Sequence, residues 1–528
     1  MSYFTGGGID SKSNQTSSLT NSFNSFVLNK HITHNNLSFT KKTFLSLATI
    51  SFLATCANAS ITTINDKVSN GSITIANARS NISRDISGGG CSGTICTIET
   101  TQNNGVTISG NNGGTLTITD KGSITNNNKY GSGVLINGSA TNVNINNSGT
   151  IDSTNTNNQS GNGISVEGNN NNNITITNSG SINSGTFNGI EIKGSNNTIN
   201  NLTNSGIITG KGNGISVNGS NNVIETLDNS GFISAIKVQN QGSIKTIDNK
   251  GTIGGVVIDH KNSVIQNLMN HGTINGKINV IGGKISSITN DKNGVINGGI
   301  EIGLWGGGAI DTIINKGAVN SGNRGIFITN NTKLIENSGV ISGNNAGIDT
   351  DNGADIITIS NSGTITSEKG IGIKVYSTNK KGIETINNKN NGLIYGNTDG
   401  IMTYAQWGQI GRVKNINNEG SIIGGKNGIN IQEFGNNKSL ISYIETITNK
   451  GTILGKNGAG IYVNGAKQEV KNYIQLDGPN ALIAGGKAGI HNKGTIGVNN
   501  NGTSVNNGNV IDLKNGATIA SLKQEKDA

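Results

Sequence analysis

The sequence predicts an all-β fold, a single-stranded right-handed parallel β-helix (a solenoid) of about 15 coils. Three observations predict it. A short Asn-x-Gly-x-Ile unit recurs along the chain, isoleucines alternate with polar residues around it, and no helical pattern or run of prolines interrupts it. Such periodic apolar positions also distinguish this Gly/Asn-rich chain from a disordered low-complexity tract, in which they are absent.

The recurring unit sets the period of the chain. Its glycine returns at intervals that mostly lie between 20 and 31 residues, the range in which each repeat is one structural unit that must stack on its neighbours. The last interval is longer, and we expect a degenerate coil around Leu476-Asp477-Gly478 inside it. The marker glycines are Gly122, Gly149, Gly180, Gly206, Gly231, Gly251, Gly272, Gly294, Gly317, Gly339, Gly363, Gly392, Gly420, Gly451 and Gly494.

A longer template surrounds each marker, Ile-x2-(Ile/Leu)-x-Asn-x-Gly-x-(Ile/Val). Ile199, Leu202, Asn204, Gly206 and Ile208 fill it in one repeat. The last four positions step by two, which places them on one face of an extended chain. We therefore expect the isoleucines to form a core and the asparagine amides to hydrogen-bond to one another along the rod. The glycine is expected to permit a tight turn.

A second alternating element, Gly-Ile-x-(Ile/Val), lies between successive markers, as in Gly214-Ile215-Ser216-Val217 and Gly428-Ile429-Asn430-Ile431. Each repeat thus offers about three short strands and no helix. Right-handed crossovers dominate parallel strand connections, which favours the right-handed form. A leucine-rich repeat is the alternative fold, but it requires a leucine-rich run and a convex helical turn that the pattern lacks.

The N-terminal region has the layout of a secretory signal peptide with a long polar extension. Lys41-Lys42 precedes an apolar run that ends in the small-x-small sequence Ala57-Asn58-Ala59. We predict an extended signal peptide over 1–59 with cleavage after Ala59. Lipidation at Cys56 is the alternative, although Thr55 fits a lipobox poorly.

Cleavage after Ala59 would leave two cysteines, Cys91 and Cys96, within a predicted N-terminal capping region over 60–118. An even cysteine count in an exported chain favours a disulfide between them, with two free thiols as the alternative. The β-helical repeats are predicted over 119–520, followed by a polar tail over 521–528.

The formal net charge is +9 and is carried almost entirely by lysine. These lysines are scattered one or two to a repeat along the sequence, so we predict a solvated positive surface and no nucleic-acid partner. No glycine-rich phosphate loop precedes a helix, and no cofactor is predicted.

Few carboxylates cluster in this sequence. The densest group is Asp349, Asp351 and Asp355, which are weak candidates for a metal site because oxygen ligands suit hard cations but the later glutamate of a calcium loop is missing. A solvated turn is the plain alternative. The histidines are spread over separate repeats, and no serine lies in a nucleophile elbow. We therefore predict no catalytic residue and no enzyme, with a polysaccharide hydrolase or lyase as the alternative.

Aromatic residues are rare but gather between residues 376 and 434. Rings on a repeat face suit contacts with sugars or proteins, and packing at coil ends is the plain alternative. The ligand-contact candidates are Tyr376, Tyr404, Trp407 and Phe434.

The exported layout and the recurrent Asn-Ser-Gly-Thr-Ile and Gly-Ile-x-Ile units resemble the passenger domains of autotransporters, the type V secretion family. The vacuolating-cytotoxin-like and haemagglutinin-like members are the nearest comparison. The resemblance implies passage through the periplasm and display on the cell surface or at the outer membrane, or secretion. It implies an outer-membrane translocator barrel as partner, in the same or a separate chain, and adhesion to glycans or proteins of host or neighbouring cells as the function.

One departure concerns the C-terminal part. Autotransporters end in alternating strands of a membrane barrel, whereas this sequence ends at Leu522-Lys523-Gln524-Glu525-Lys526-Asp527-Ala528. A truncated passenger that lacks its translocator barrel is therefore a further alternative to the adhesin.

Overall fold

The chain winds through three parallel β-sheets, one strand of each sheet per coil. In the computed structural model the described residues are 38–39, 73–74, 86–110, 113–128, 131–154, 161–303, 307–351, 353–376, 382–405, 410–433, 441–497 and 511–524. None of these residues is helical, and none of them forms a helix long and apolar enough to cross a membrane. In the unit spanning residues 1–83, Ser38–Phe39 pairs antiparallel with Ile73–Thr74.

The first sheet contains the Gly-Ile elements of the sequence. Its strands are Ile86–Gly88, Cys91–Gly93, Val106–Ser109, Val134–Asn137, Ile164–Val166, Ile190–Ile192, Ile215–Asn218, Ile236–Gln239, Val256–Ile258, Ile278–Val280, Ile300–Ile302, Arg324–Ile328, Ala346–Thr350, Ile371–Val375, Asp399–Ala405, Asn427–Glu433, Ala459–Asn464, Ala488–Asn492 and Leu522–Gln524.

The second sheet contains the long strands that end at the template asparagine. Its strands are Ile95–Ile98, Gly114–Ile118, Thr141–Asn147, Asn172–Asn178, Thr198–Asn204, Val223–Asn229, Ser243–Asn249, Val264–Asn270, Lys284–Asn290, Ala309–Asn315, Asn331–Asn337, Asp355–Asn361, Gly382–Asn388, Arg412–Asn418, Tyr443–Asn449, Glu469–Asp477, Thr495–Ile496 and Ile511–Lys514.

The third sheet follows the marker glycine. Its strands are Thr101–Gln102, Ser123–Thr125, Thr150–Ser153, Ser181–Ser184, Ile207–Gly210, Phe232–Ile233, Thr252–Ile253, Thr273–Ile274, Val295–Ile296, Ala318–Ser321, Val340–Gly343, Thr364–Ser367, Leu393–Gly396, Ser421–Gly424, Thr452–Gly455, Leu482–Gly485 and Thr518–Ile519. These 17 strands mark 17 coils in the described part of the chain, close to the number predicted. The predicted all-β parallel solenoid is therefore confirmed.

The core is one continuous column of isoleucine, valine and leucine. Equivalent residues stack in register, so that Ile199, Ile224 and Ile244 follow one another in successive coils and are fully buried. Alternate residues face inward over most of each strand, as the period-two pattern requires, but a three-residue step separates the first two inward residues of the second-sheet strands, as between Ile199 and Leu202. No single coil could bury these side chains alone, and stacking is therefore what stabilises each of them.

The template asparagines form an unbroken ladder inside this core. In each of 12 steps the side-chain Nδ2 donates to the Oδ1 of the asparagine in the next coil at 2.7–2.8 Å. The same Nδ2 groups donate to nearby carbonyl oxygens, as Asn204 does to Gly206 and Phe232 at 3.2 Å. The ladder joins Asn147, Asn178, Asn204, Asn229, Asn249, Asn270, Asn290, Asn315, Asn337, Asn361, Asn388, Asn418 and Asn449.

The marker glycines have a different role from the one predicted. Gly206 is not among the residues with positive φ, so the corner does not need a left-handed residue there. Instead, a Cβ on Gly206 would lie 2.0 Å from the carbonyl oxygen of Gly180 in the preceding coil. Glycine is required because the backbones approach too closely for any side chain. Left-handed backbone occurs at other glycines, such as Gly168 and Gly194, and among non-glycine residues mostly at asparagines near the start of the second-sheet strands, such as Asn170, Asn196 and Asn221.

The N-terminal end of the stack differs from its middle. Ile86–Gly88 pairs antiparallel with Cys91–Gly93 and with the strand Val106–Ser109. A disulfide joins Cys91 to Cys96, whose Cα atoms lie 5.6 Å apart, and so connects this hairpin to the first strand of the second sheet. Parallel pairing begins at Ile95, within the region that the sequence assigns to a cap. Ile118 stands in register with Asn147 there, which explains why the template is not visible so early.

We predict that Asn270→Ala lowers the free energy of unfolding by about 2–5 kcal/mol, because it leaves the amide of Asn249 and the carbonyl of Asn290 buried without their partners. Denaturant unfolding, together with hydrogen exchange of the adjacent coils, measures the change. Asn201→Ala is the control, since Asn201 is exposed on the same sheet, and we expect it to stay within about 0.5 kcal/mol of the unmodified chain. Equal losses in both variants would contradict a structural role for the ladder.

Gly206→Ala should lower the free energy of unfolding by about 1–3 kcal/mol, because the backbones of two adjacent coils would have to separate. Gly322→Ala is the matched control. A Cβ on Gly322 meets no atom within 4 Å, and Gly322 is not among the positive-φ residues. Thermal and denaturant unfolding of the two variants compare the sites. A Gly206→Ala variant as stable as Gly322→Ala would show that coil spacing does not depend on the glycine.

Candidate binding face of the first sheet

The regular pattern changes on the outward face of the first sheet between residues 324 and 433. Strands of this sheet are only three or four residues long in the preceding coils, for example Ile300–Ile302, but Asp399–Ala405 and Asn427–Glu433 each have seven residues. Longer strands present an additional outward position on each coil. Charged, amide and aromatic side chains gather on this part of the sheet, and we name this set the first-sheet face: Arg324, Phe327, Asp349, Lys374, Tyr376, Asp399, Tyr404 and Asn430.

Asp349 lies at the centre of the first-sheet face. It pairs in register with Phe327 of the preceding coil and Lys374 of the following one. Its Oδ2 lies 3.6 Å from Lys374 Nζ and 3.8 Å from Arg324 Nε, while its Oδ1 is buried without a hydrogen-bond partner. Only 7% of the residue is exposed. Burial raises the pKa of Asp349 to about 6, although the two cations oppose the increase and Asp351 adds to it.

Two tyrosines stack beside this carboxyl group. The rings of Tyr376 and Tyr404 are 4.6 Å apart and inclined by 8°, and Lys374 Nζ lies 5.1 Å from the Tyr404 ring centre. Thr350 fixes the strand beneath them, since its hydroxyl donates to the Tyr376 carbonyl and accepts from the Tyr376 amide, both at 2.9 Å. Burial raises the pKa of Tyr376 to about 12 and also raises the pKa of Tyr404. Both phenols therefore stay neutral at physiological pH.

A second buried carboxyl group lies further along the same sheet. Asp399 accepts hydrogen bonds from Asn427 Nδ2 at 2.8 Å and from Asn430 Nδ2 at 3.0 Å. Burial raises the pKa of Asp399, and these hydrogen bonds to the charged form oppose the increase. Asn430 Nδ2 also donates to Gln432 Oε1 at 3.0 Å. The face thus extends over several consecutive coils as a network of polar contacts.

The structure brings together only some of the residues that the sequence singled out. Asp349 and Asp351 lie near Tyr376 and Tyr404, because each carboxylate contributes to the pKa of Tyr404. Asp355 begins a strand of the second sheet instead, so the three aspartates do not converge. Among the described residues no group of three His, Cys, Asp or Glu side chains could hold a metal ion. Trp407, Phe434, Cys56 and Ala59 lie outside the described residues.

Sequence reasoning missed Arg324, Lys374, Asp399 and Asn430. The sequence did contain a pattern that locates Lys374 and Asn430. A Gly-Ile dipeptide directly precedes each residue of the central column, which is the outward column of register partners that runs through Asp349. Alignment of these dipeptides predicts the register that the structure shows for Phe327, Asp349, Lys374, Met402 and Asn430. Chemically, the face combines neutral phenols, two cations, amides and a carboxyl group that titrates near pH 6. Such groups bind polar ligands through hydrogen bonds.

The raised pKa of Asp349 predicts a pH dependence of stability. The folded protein holds this proton up to about pH 6, whereas the unfolded chain releases it near the ordinary value of 3.8. Stability should therefore decrease by about 2–3 kcal/mol as the pH rises through this window and should then level off. Asp349→Asn should remove that decrease. Denaturant unfolding between pH 3.5 and 7.5 measures the effect.

Lys374→Met is the companion variant for this measurement. Lys374 lowers the pKa of Asp349, so its removal should shift the window to higher pH without abolishing it. An unchanged pH profile in both variants would contradict the titration of Asp349.

No protein-family model matches this chain, and neither does any curated protein or solved structure with which it was compared.

Proposed function

We propose that this chain is the β-helical passenger of an autotransporter-like export system, displayed on the cell surface or secreted, where it binds glycans or proteins of host or neighbouring cells. The proposal combines the signal-peptide layout of residues 1–59 with the resemblance of the repeats to such passengers. An outer-membrane translocator barrel, in the same or a separate polypeptide, is the partner that this route requires.

One observation carries the binding role. Most inward positions of the stack are occupied by apolar side chains and by the asparagine ladder, so contacts with other molecules are made by residues of the outward faces. Earlier members of the central column are mixed in character, such as Ser165, Lys237 and Val257, whereas the first-sheet face adds a stacked tyrosine pair and hydrogen-bonded amides. Tyr376 and Tyr404 are 6% and 8% exposed, so a ligand would contact their edges and the neighbouring polar groups.

A polysaccharide-acting enzyme on the same scaffold is the second candidate. The observation in its favour is the pKa of Asp349 near 6 with Asp351 close by. A carboxyl group with a raised pKa next to a second carboxylate suits general acid catalysis. The binding role accounts for more of the face, because it also uses the tyrosines and the asparagine network.

Two measurements test the proposal. Protease digestion of intact cells should remove the chain, whereas a periplasmic control protein should survive, and protection of the chain would contradict surface display. Purified chain should bind a subset of sugars on a glycan array, and Tyr404→Ala should weaken this binding about tenfold or more through loss of the stacked pair. Ile207→Ala, an exposed residue on the third sheet, is the control and should bind normally. Depolymerisation assays run in parallel, and polysaccharide cleavage lost in Asp349→Asn would favour the enzyme.

A further inference from the structure

One of the two outward columns of the third sheet changes character along the rod, whereas the other already holds apolar residues such as Ile207 and Phe232. One column of register partners is polar through the early and middle coils. From residue 395 onward the same column is apolar, and its members Tyr395, Ile423, Leu454 and Ala484 stand in continuous register and are all partly exposed. The polar members of the column include Asp152, Asn183, Thr209, Asn320, Ser342 and Thr366.

A row of lysines borders this apolar column. Lys426, Lys456 and Lys487 lie at the corner that follows the third sheet in three consecutive coils, and all are exposed. The corner backbones stack directly, since the amide of Lys456 donates to the Gly424 carbonyl at 2.9 Å and that of Lys487 to the Gly458 carbonyl at 2.8 Å. In the sequence these lysines look scattered, and only the coil period brings them together.

The lysine row is available for a ligand. Among the described residues, none of the three ammonium groups forms an ion pair within 4.0 Å, in contrast to Lys193, Lys245 and Lys284 on other parts of the rod. Lys456 Nζ lies 5.3 Å from the ring centre of Tyr395, which shows that the row and the column adjoin one another. We name the two together the lysine-edged face: Tyr395, Ile423, Leu454, Ala484, Lys426, Lys456 and Lys487.

We propose that the lysine-edged face binds a linear anionic polysaccharide that lies along the axis of the rod. This inference rests on the proposed function in cell-surface recognition and names the class of ligand. The three lysines lie in consecutive coils about 4.8 Å apart, and the Lys456 side chain extends back toward Tyr395. Their positive charges are therefore distributed along the axis of the rod and complement a polymer that carries repeated carboxylate or sulfate groups. The apolar column offers contact to the C–H faces of the sugar rings, as aromatic and aliphatic side chains do in ligand sites.

The combination of features favours a polysaccharide over other anions. The column residues are only partly exposed, so they offer a shallow surface for sugar rings and no protruding group for insertion into a lipid bilayer. The column contains a single aromatic side chain, whereas proteins that bind single-stranded nucleic acid stack successive bases on several aromatic side chains. The coils of the protein and the sugars of the polymer both repeat, so the number of contacts grows with the number of coils that the polymer covers.

The test uses the purified full chain with polygalacturonate and dextran sulfate as probes and uncharged dextran as the neutral polymer. The triple variant Lys426→Gln, Lys456→Gln, Lys487→Gln should lose at least tenfold in affinity for both polyanions near physiological salt, with a weaker dependence of binding on salt. The matched control is Lys261→Gln, Lys292→Gln, Lys389→Gln, which removes the same charge from exposed lysines at other corners. It should change affinity less than threefold.

A second variant tests the apolar column without altering charge. Ile423→Thr with Leu454→Thr installs the residue that the chain itself carries at Thr366 in the same register, so the fold should be retained. We expect a several-fold loss of polysaccharide affinity with an unchanged salt dependence. Equal binding by this variant and the unmodified chain would contradict the role of the column.

Several results would overturn the inference. These are equal losses in the two lysine triples, tighter binding to phosphatidylglycerol vesicles or single-stranded DNA than to the polysaccharides, or no binding to either polyanion. Polyanion binding that persists in the first triple variant would refute this inference, while glycan binding that is lost in Tyr404→Ala would leave the proposed function intact. Failure of surface display would contradict the proposed function, but it would not affect measurements on the purified chain.

Discussion

The close stacking of one backbone on the next is the constraint on which the structure depends. Apolar packing in the core is strong but non-directional, and it would tolerate a coil displaced by two residues. The asparagine ladder does not tolerate this, because each amide must meet its equivalent at 2.7–2.8 Å. The marker glycine makes the same demand sterically, since only a residue without Cβ fits against the carbonyl of the previous coil. Register is thus specified twice at the same corner.

The ladder is also directional. Every step donates from the earlier coil to the later one, so the first member, Asn147, has a buried Oδ1 without a partner. Its neighbour in the preceding coil is Ile118, and the residue that follows Asn449 in register is Leu476. One unsatisfied carbonyl carries an energetic cost, yet that cost arises once for thirteen asparagines. A long ladder is therefore more favourable per residue than a short one.

The sequence predicted the parts of this structure that a single repeat determines. The inward isoleucines follow from the period-two alternation. The buried ladder follows from the template asparagine, which lies two residues from an inward isoleucine or leucine and so faces the core as well. The role of Gly206 could not be predicted, because it depends on the distance to another coil and not on local conformation. Relations between coils were also hidden, since loops of variable length separate Asp349 from Lys374 and Lys456 from Lys487. Residues 30 or so apart become neighbours only when the register of every coil is known.

These constraints also determine where new function can arise. Substitution of an inward residue affects the ladder or the core of adjacent coils, whereas an outward residue contacts only its register partners and solvent. Surface changes away from special features have small effects on stability. Repeated change at one register position, as from Thr366 to Tyr395, Ile423 and Leu454, therefore builds a linear surface with little disturbance of the fold. The spacing of that surface is set by the backbone, so its natural complement is a partner that repeats on a similar length scale.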